Sequence, residues 1–276
     1  MAIRLKSDLR VRLAWAAIVM MAWTAGSGCA LLTSDNLVQT VGKSPLKQVT
    51  PTIDAIELEV FFIERPVGDP LIGSSLWSDL DTLSSLHPAS ATSLRRNGFR
   101  FGVSGSEPPR ALAAAVDVAG GRFNGHRSSQ RSGEEMAIDA SRTYPSCQIQ
   151  VDESGQRRQY SYEQAKCVFR VTPERLQDGW VRLEFLPEIH HGEMKIRQVP
   201  GNQDWQHLPS QLIDPLFDQR FSVELNLGEM IVLSADGDDA ESVGHHFFRG
   251  GTSADKLQRV LIIRLAGMKR LDLVHE

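Results

Sequence analysis

The chain has 276 residues, 41% of them hydrophobic and 23% charged, ordinary proportions for a folded domain. Its formal net charge is -4 and its pI about 6.1, so no global basic field draws it to nucleic acid. The arginine pairs Arg95-Arg96 and Arg157-Arg158 stand alone and read as solvated surface.

The opening MAIRLKSDLRVR sets Arg4, Lys6, Arg10 and Arg12 against the single acid Asp8. Leu13 to Ala25 then runs without a charge, and the small residues Gly26, Ser27 and Gly28 lead to Cys29. This order of charged, apolar and small-residue regions predicts an export signal over residues 1–29. Its apolar run is shorter than the ~20 residues that a membrane-crossing helix needs. The stretch GSGC resembles the lipobox of bacterial lipoproteins, with Gly26 where that family usually has leucine. The resemblance implies lipidation of Cys29; simple cleavage, or an uncleaved anchor over residues 13–32, stays open. Each alternative places the rest of the chain outside the cytoplasm. The expected location is the bacterial cell envelope, membrane-anchored and facing the periplasm, at the outer rather than the inner membrane.

Two cysteines remain beyond Cys29: Cys147 and Cys167. An oxidising compartment would let them form a disulfide; two unrelated buried thiols are the alternative. Residues 30–52 lack periodicity and hold Gly42, Pro45 and Pro51, so they read as a flexible tether.

The folded part opens at IELEVFFIE (Ile56 to Glu64), whose β-branched and aromatic residues predict a strand. SSLWSDLDTLSSL places Leu76, Trp77, Leu80 and Leu83 at helical spacing, with Ser74 or Ser75 as cap. A second helix starts at Pro88 and ends at Asn97-Gly98; Phe99 to Val103 is a short strand; Pro108-Pro109 open a third helix. Residues 120–143, rich in Gly, Ser and Arg, read as a mobile loop. Strands are then expected in CQIQV, RQYSYEQAKCVFRVT, WVRLEFLPEI, MKIRQV, RFSVELNL, EMIVLSA and LQRVLIIRL, with turns at DESGQ, ERLQDG, HHGE, NLGE and ADGDD. Val181, Leu183 and Phe185 alternate with Arg182 and Glu184, the period of a sheet with one wet face. LQRVLIIRL is apolar on both faces at its centre and predicts an interior strand. The expected class is α+β: a helix-containing part over 53–119, then a β-rich, mainly antiparallel domain over 144–276.

No catalytic constellation stands out. His190-His191 (with Glu188 and Glu193 nearby) and His245-His246 supply imidazoles and carboxylates that could hold a metal and activate water. Adjacent strand residues point to opposite faces, so at most one histidine of each pair could serve one site. The serine in GVSGSE (Ser104) lacks the second glycine of a nucleophile elbow, and ADGDDAE does not have the spacing of a calcium loop. No cofactor motif is present in the sequence.

Several stretches resemble the β-domain of bacterial secretins, the outer-membrane ring proteins of type II and III secretion systems. They are IELEVFFIER; YSYEQAKCVFRVTPERLQDGWVRLEFLPEI; RFSVELNLGEMIVLS; SVGHHFFRG, with Gly244 and Phe247 at the family's spacing; and LQRVLIIRL. Ser234-Ala235-Asp236 stands where that family has glycines, and residues 195–220 are more polar than a membrane-facing lip. The resemblance implies a secretin-like envelope lipoprotein without channel features, one that binds protein partners or associates with itself and uses no cofactor. The other reading is an envelope metal-binding hydrolase built on His190 or His191 with His245 or His246.

Overall fold

A computed structural model describes residues 52–82, 86–118, 125–200, 205–249 and 257–272. The export segment, Cys29 and residues 30–51 of the expected tether lie outside the described residues.

Two antiparallel sheets form. The first contains β1 (Thr52–Pro66), β2 (Phe99–Ser104), β3 (His126–Arg131), β10 (Met230–Ala235) and β11 (Leu257–Asp272), in the order β2-β10-β11-β1-β3. The second contains β4 (Met136–Asp139), β5 (Tyr144–Glu153), β6 (Gln156–Gln177), β7 (Trp180–Pro200), β8 (Trp205–Pro215) and β9 (Phe221–Asn226). Its order is β4-β6-β7-β8, with β5 paired to β6 and β9 to β7. Helices α1 (Ser74–Ser78), α2 (Pro88–Arg96), α3 (Arg110–Val118) and α4 (Val243–Phe248) join them.

The first sheet is the middle layer. On one side Ile56, Leu58, Leu233, Leu261 and Ile263 join Phe169, Val181, Leu183 and Phe185 of the second sheet in one core. On the other side Ile63, Val232, Val260 and Ile262 pack under Leu76 and Trp77 of α1 and Leu112 and Ala115 of α3. The sequence VLII of β11 is therefore buried on both faces, as expected for an interior strand, and β11 lies between β10 and β1.

Helix α4 fills the space between the sheets. Its Phe247 ring lies 5.2 Å from that of Phe99 and 4.7 Å from that of Phe169. The approach of α4 requires glycine twice. A Cβ on Gly244 would lie 1.8 Å from the Gly98 carbonyl oxygen, and Gly98 itself has φ +76. Asn97 ties this junction together. Its Nδ2 donates to the Ser93 and Asp152 carbonyls (3.0 and 3.1 Å), its Oδ1 accepts from the Asp152 amide (2.8 Å), and its own carbonyl accepts from the Gly244 amide (2.8 Å).

Several expectations change. The parts 53–119 and 144–276 are not separate in space, because β1 pairs with β11 along its whole length and the chain from Thr50 onward is one compact unit. The expected loop at 120–143 contains the edge strands β3 and β4; β3 (HRSSQR) has polar side chains and no apolar alternation, and β4 (MAID) turns only Met136 and Ile138 to the core, too short a period to mark a strand. The helix expected through Leu83 stops at Ser78, and Asp81 instead bridges Val103 of β2. HHGE is not a turn: β7 runs through it with a bulge between His191 and Lys195, where Gly192 adopts φ +75. The segment 195–220 holds strand β8, hidden in the sequence by Pro209 and by its polar residues. His245 and His246 lie on α4, not on a turn or strand end.

Candidate functional site

The second sheet divides at one place. β6 follows β7 only as far as the pair Lys166–His190, then turns away to pair with β5. β7 continues with β8 to the pair Pro200–Trp205. Two backbone irregularities mark the parting: Gln164 on β6 at φ 48 and Gly192 on β7 at φ +75. The Gln211 side chain of β8 clasps both, donating to the carbonyls of Gln164 and Gly192 at 2.8 Å each.

The two hairpins then differ. β5–β6 is docked: Asn97 and Gln219 hold Asp152, and the Gln150 amide donates to the Glu241 carbonyl at 2.7 Å. The outer part of β7–β8 is a two-stranded arm. Its exposed side chains include Met194 (63%), Ile196 (76%), Leu212 (48%) and Ile213 (41%). The register pairs Ile196 with Pro209 and His190 with Ile213, on one face of the arm, and His191 with Leu212 on the other.

The predicted site residues fall around this arm and apart from it. His190 and His191 sit at its root and point to opposite faces. His190 Nε2 meets Glu188 Oε2 at 2.9 Å. Glu188, buried, also takes a two-point contact from Arg170 (Nε–Oε1 2.6 Å, Nη2–Oε2 3.1 Å), and Arg170 reaches Glu135 as well. Burial alone would raise the Glu188 carboxyl, but the hydrogen bonds from His190 and Arg170 outweigh it and hold it below the usual range. On the other face the His191 ring lies 4.9 Å from Tyr162, and its Nε2 is 3.5 Å from Asp214. These groups clamp the root of the arm from both sides.

His245 and His246 belong to a different neighbourhood. His246 Nδ1 lies 3.0 Å from the Ser242 carbonyl, and the His246 ring packs on Tyr144. Burial, with help from His246 and Arg249, pushes the His245 imidazole down to about 4. Among the described residues, no three His, Cys, Asp or Glu side chains converge to hold a metal. The hydrolase reading needed one histidine from each pair at one point; the two pairs keep separate partners.

Cys147 and Cys167 are free thiols. The ladder sets Cys147 opposite Tyr162, short of Cys167 along β6, so strand pairing does not bring the two cysteines face to face. Cys167 is fully buried and Cys147 half-buried against the same core. Burial raises both thiols, that of Cys167 far above its ordinary value. Cys29 lies outside the described residues. Sequence reasoning missed Gln211 and β8 altogether; it placed Asn97 as a helix stop but not as the tie to Asp152 and Gly244.

Comparisons with known proteins give little. No family model matches the chain, and no curated protein matches it. Among solved structures, the secretin InvG of the Salmonella SPI-1 type III secretion injectisome aligns at 12% identity and TM-score 0.19, over 82% of this chain and 64% of that one. The Salmonella basal body assembly of InvG, PrgH and PrgK aligns at the same identity and TM-score, with 45% of that chain covered. The InvG secretin-domain β-barrel does so with 62% covered. The chain thus spans less than two thirds of each of these proteins, and an overlay at TM-score 0.19 carries no argument about this one.

Proposed function

We propose that this chain is a non-enzymatic envelope lipoprotein whose β-domain assembles with a protein partner, or with further copies of itself, through the β7–β8 arm. The export pattern over residues 1–29 and the lipobox-like Cys29 support the anchored, periplasm-facing placement. No helix among the described residues is long and apolar enough to cross a membrane. One observation carries the assembly role: a two-stranded arm with Ile196, Leu212 and Ile213 exposed. Two-stranded hairpins are marginal in water and gain stability when another strand or an apolar surface covers them.

The test is sizing. Residues 50–276 and a variant with Ile196, Leu212 and Ile213 changed to Ser are compared by native mass spectrometry, alone and after crosslinking in envelope extracts. Assembly, or a specific crosslinked partner, is expected for the first and not for the second. Identical behaviour of the two would exclude the arm. Separately, Cys29→Ser is expected to release the full chain into the soluble envelope fraction; unchanged membrane association would indicate an uncleaved anchor.

A further inference from the structure

Helix α2 presents a polar groove to water. Ala89, Thr92, Ser93 and Arg96 stand three and four residues apart, so they share one face of the helix. Opposite that face lie Asp152, Ser154 and Gly155 at the β5–β6 turn, and Asp218 of the short turn Phe217–Gln219. The groove between them has a volume of about 580 Å3. That lies within the range of small-molecule sites, roughly 300–1,000 Å3.

Most of the lining has its protons already committed. Thr92 Oγ1 donates to the Pro88 carbonyl (2.9 Å), Ser93 Oγ to the Asp218 carbonyl (2.8 Å) and Ser154 Oγ to Asp218 Oδ2 (2.9 Å). A hydroxyl has one proton, so these three oxygens have only lone pairs left to offer. Asp152 Oδ1 accepts from the Gly155 amide at 3.0 Å, and both carboxylates have acceptor capacity to spare. Arg96 is the opposite. Among the described residues its guanidinium makes no hydrogen bond or ion pair, and neither aspartate makes an ion pair. Arg96 and Asp152 flank the same residue: a Cβ on Gly155 would lie 4.0 Å from Arg96 Nη1, and Asp152 holds the Gly155 amide. Asp218 sits about one helical turn back along α2, bonded to Ser93. Arg157 stands cross-strand from Asp152 but lies outside the lining and forms no ion pair with it. The groove is thus marked by separated charges, not by an excess of one sign.

Acceptors along a groove with one free guanidinium fit a ligand rich in N–H donors that also carries one carboxylate. We propose that this groove binds a free basic amino acid of the lysine class. Its α-carboxylate takes Arg96, its α-ammonium takes Asp152 across Gly155, and its side-chain ammonium runs along α2 to Asp218. A diamine would match the aspartates and leave Arg96 without a partner; a simple carboxylate would do the reverse, so the full dipolar set decides the preference. The site uses no residue of the β7–β8 arm, and its failure would leave the assembly role untouched.

The experiment is isothermal titration calorimetry of the purified full chain in detergent with L-lysine. The expected result is saturable binding at one site per chain. Cadaverine lacks the carboxylate, 6-aminohexanoate the α-ammonium and norleucine the side-chain ammonium. Each is expected to bind about three- to fivefold more weakly than lysine, the scale of one exposed charge contact. Arg96→Gln and Asp218→Asn are expected to weaken lysine by about the same factor. Arg96 has no partner in the fold to lose, and asparagine keeps an acceptor for Ser154, so both variants should stay folded. Ala89→Trp, at an exposed position, fills the groove and is expected to abolish binding. Absent or non-saturable binding of lysine would overturn the proposal, as would unchanged affinity in Arg96→Gln or Asp218→Asn. Cadaverine binding as tightly as lysine would overturn it too, because the groove would then read positive charge alone.

Discussion

Strand β11 and the outer half of β7 are both long β segments, but their surroundings differ. β11 has strand neighbours on both edges, the second sheet on one face and helices on the other. β7 beyond His190 has β8 on one edge, with Met194 and Ile196 exposed. The hydrophobic effect rewards apolar area removed from water, so an isoleucine on β11 stabilises the fold while Ile196 leaves its area available to a partner. The same residue type is thus buried in the fold in one region and open to water in the other.

Substitutions should separate the two regions. Phe247→Ala removes a fully buried ring that touches Phe99 and Phe169, and should cost about 3–5 kcal/mol by chemical denaturation. Asn97→Ala deletes the side chain that joins α2 to β5 and strands the Asp152 amide; about 1–3 kcal/mol is expected, with the denaturation slope unchanged. On the arm, Ile196→Ala should alter stability by less than about 0.5 kcal/mol while weakening association measured by sizing. A large loss of stability from Ile196→Ala would mean that the arm belongs to the folding core after all.

A pH series sharpens the same contrast. His245 is held at about 4 in the fold, below the ~6.5 of an unfolded histidine, so the unfolded chain binds the extra proton between those values. The stabilising effect of its neutral form is complete above pH 6.5 and is lost as pH falls through 4. The melting temperature should therefore drop over that window, and His245→Gln should flatten the drop. An unchanged profile in the variant would show that another group governs it. Thiol alkylation gives the smallest signal. Cys147, half-buried, should react slowly in the native protein and Cys167 only in denaturant, since burial keeps both protonated. A count of no free thiols at these two positions in denaturant without reductant would reveal a Cys147–Cys167 bridge.

Much of the local structure was legible. Alternation at Val181, Leu183 and Phe185 and the doubly apolar centre of β11 each found their strand, because burial on one face or two leaves its period in the sequence. The edges were not legible. β3 reads HRSSQR, and an edge strand with wet faces carries no hydrophobic period. Gly192 suggested a turn where the backbone makes a bulge, since glycine supplies positive φ to both. The parting at Gln164 and Gly192 is held by backbone carbonyls of two strands meeting the one side chain of Gln211, and composition does not record such a meeting. Nor does it record that β1 and β11 pair.

That last pairing governs the order in which the molecule can be finished. Thr52 stands opposite Asp272 and Pro66 opposite Leu257, so the β1–β11 ladder cannot close until nearly all the later residues have emerged. A chain threaded outward from its N-terminus would carry β1 with one long edge unpaired throughout transit, and closing so distant a contact is intrinsically slow. Charged residues at Glu57, Glu59, Glu64 and Arg65 lie along this waiting strand. On such a route they would keep the strand soluble until Lys269, Arg264 and Arg259 pair with Glu57, Glu59 and Glu64 as they do in the fold.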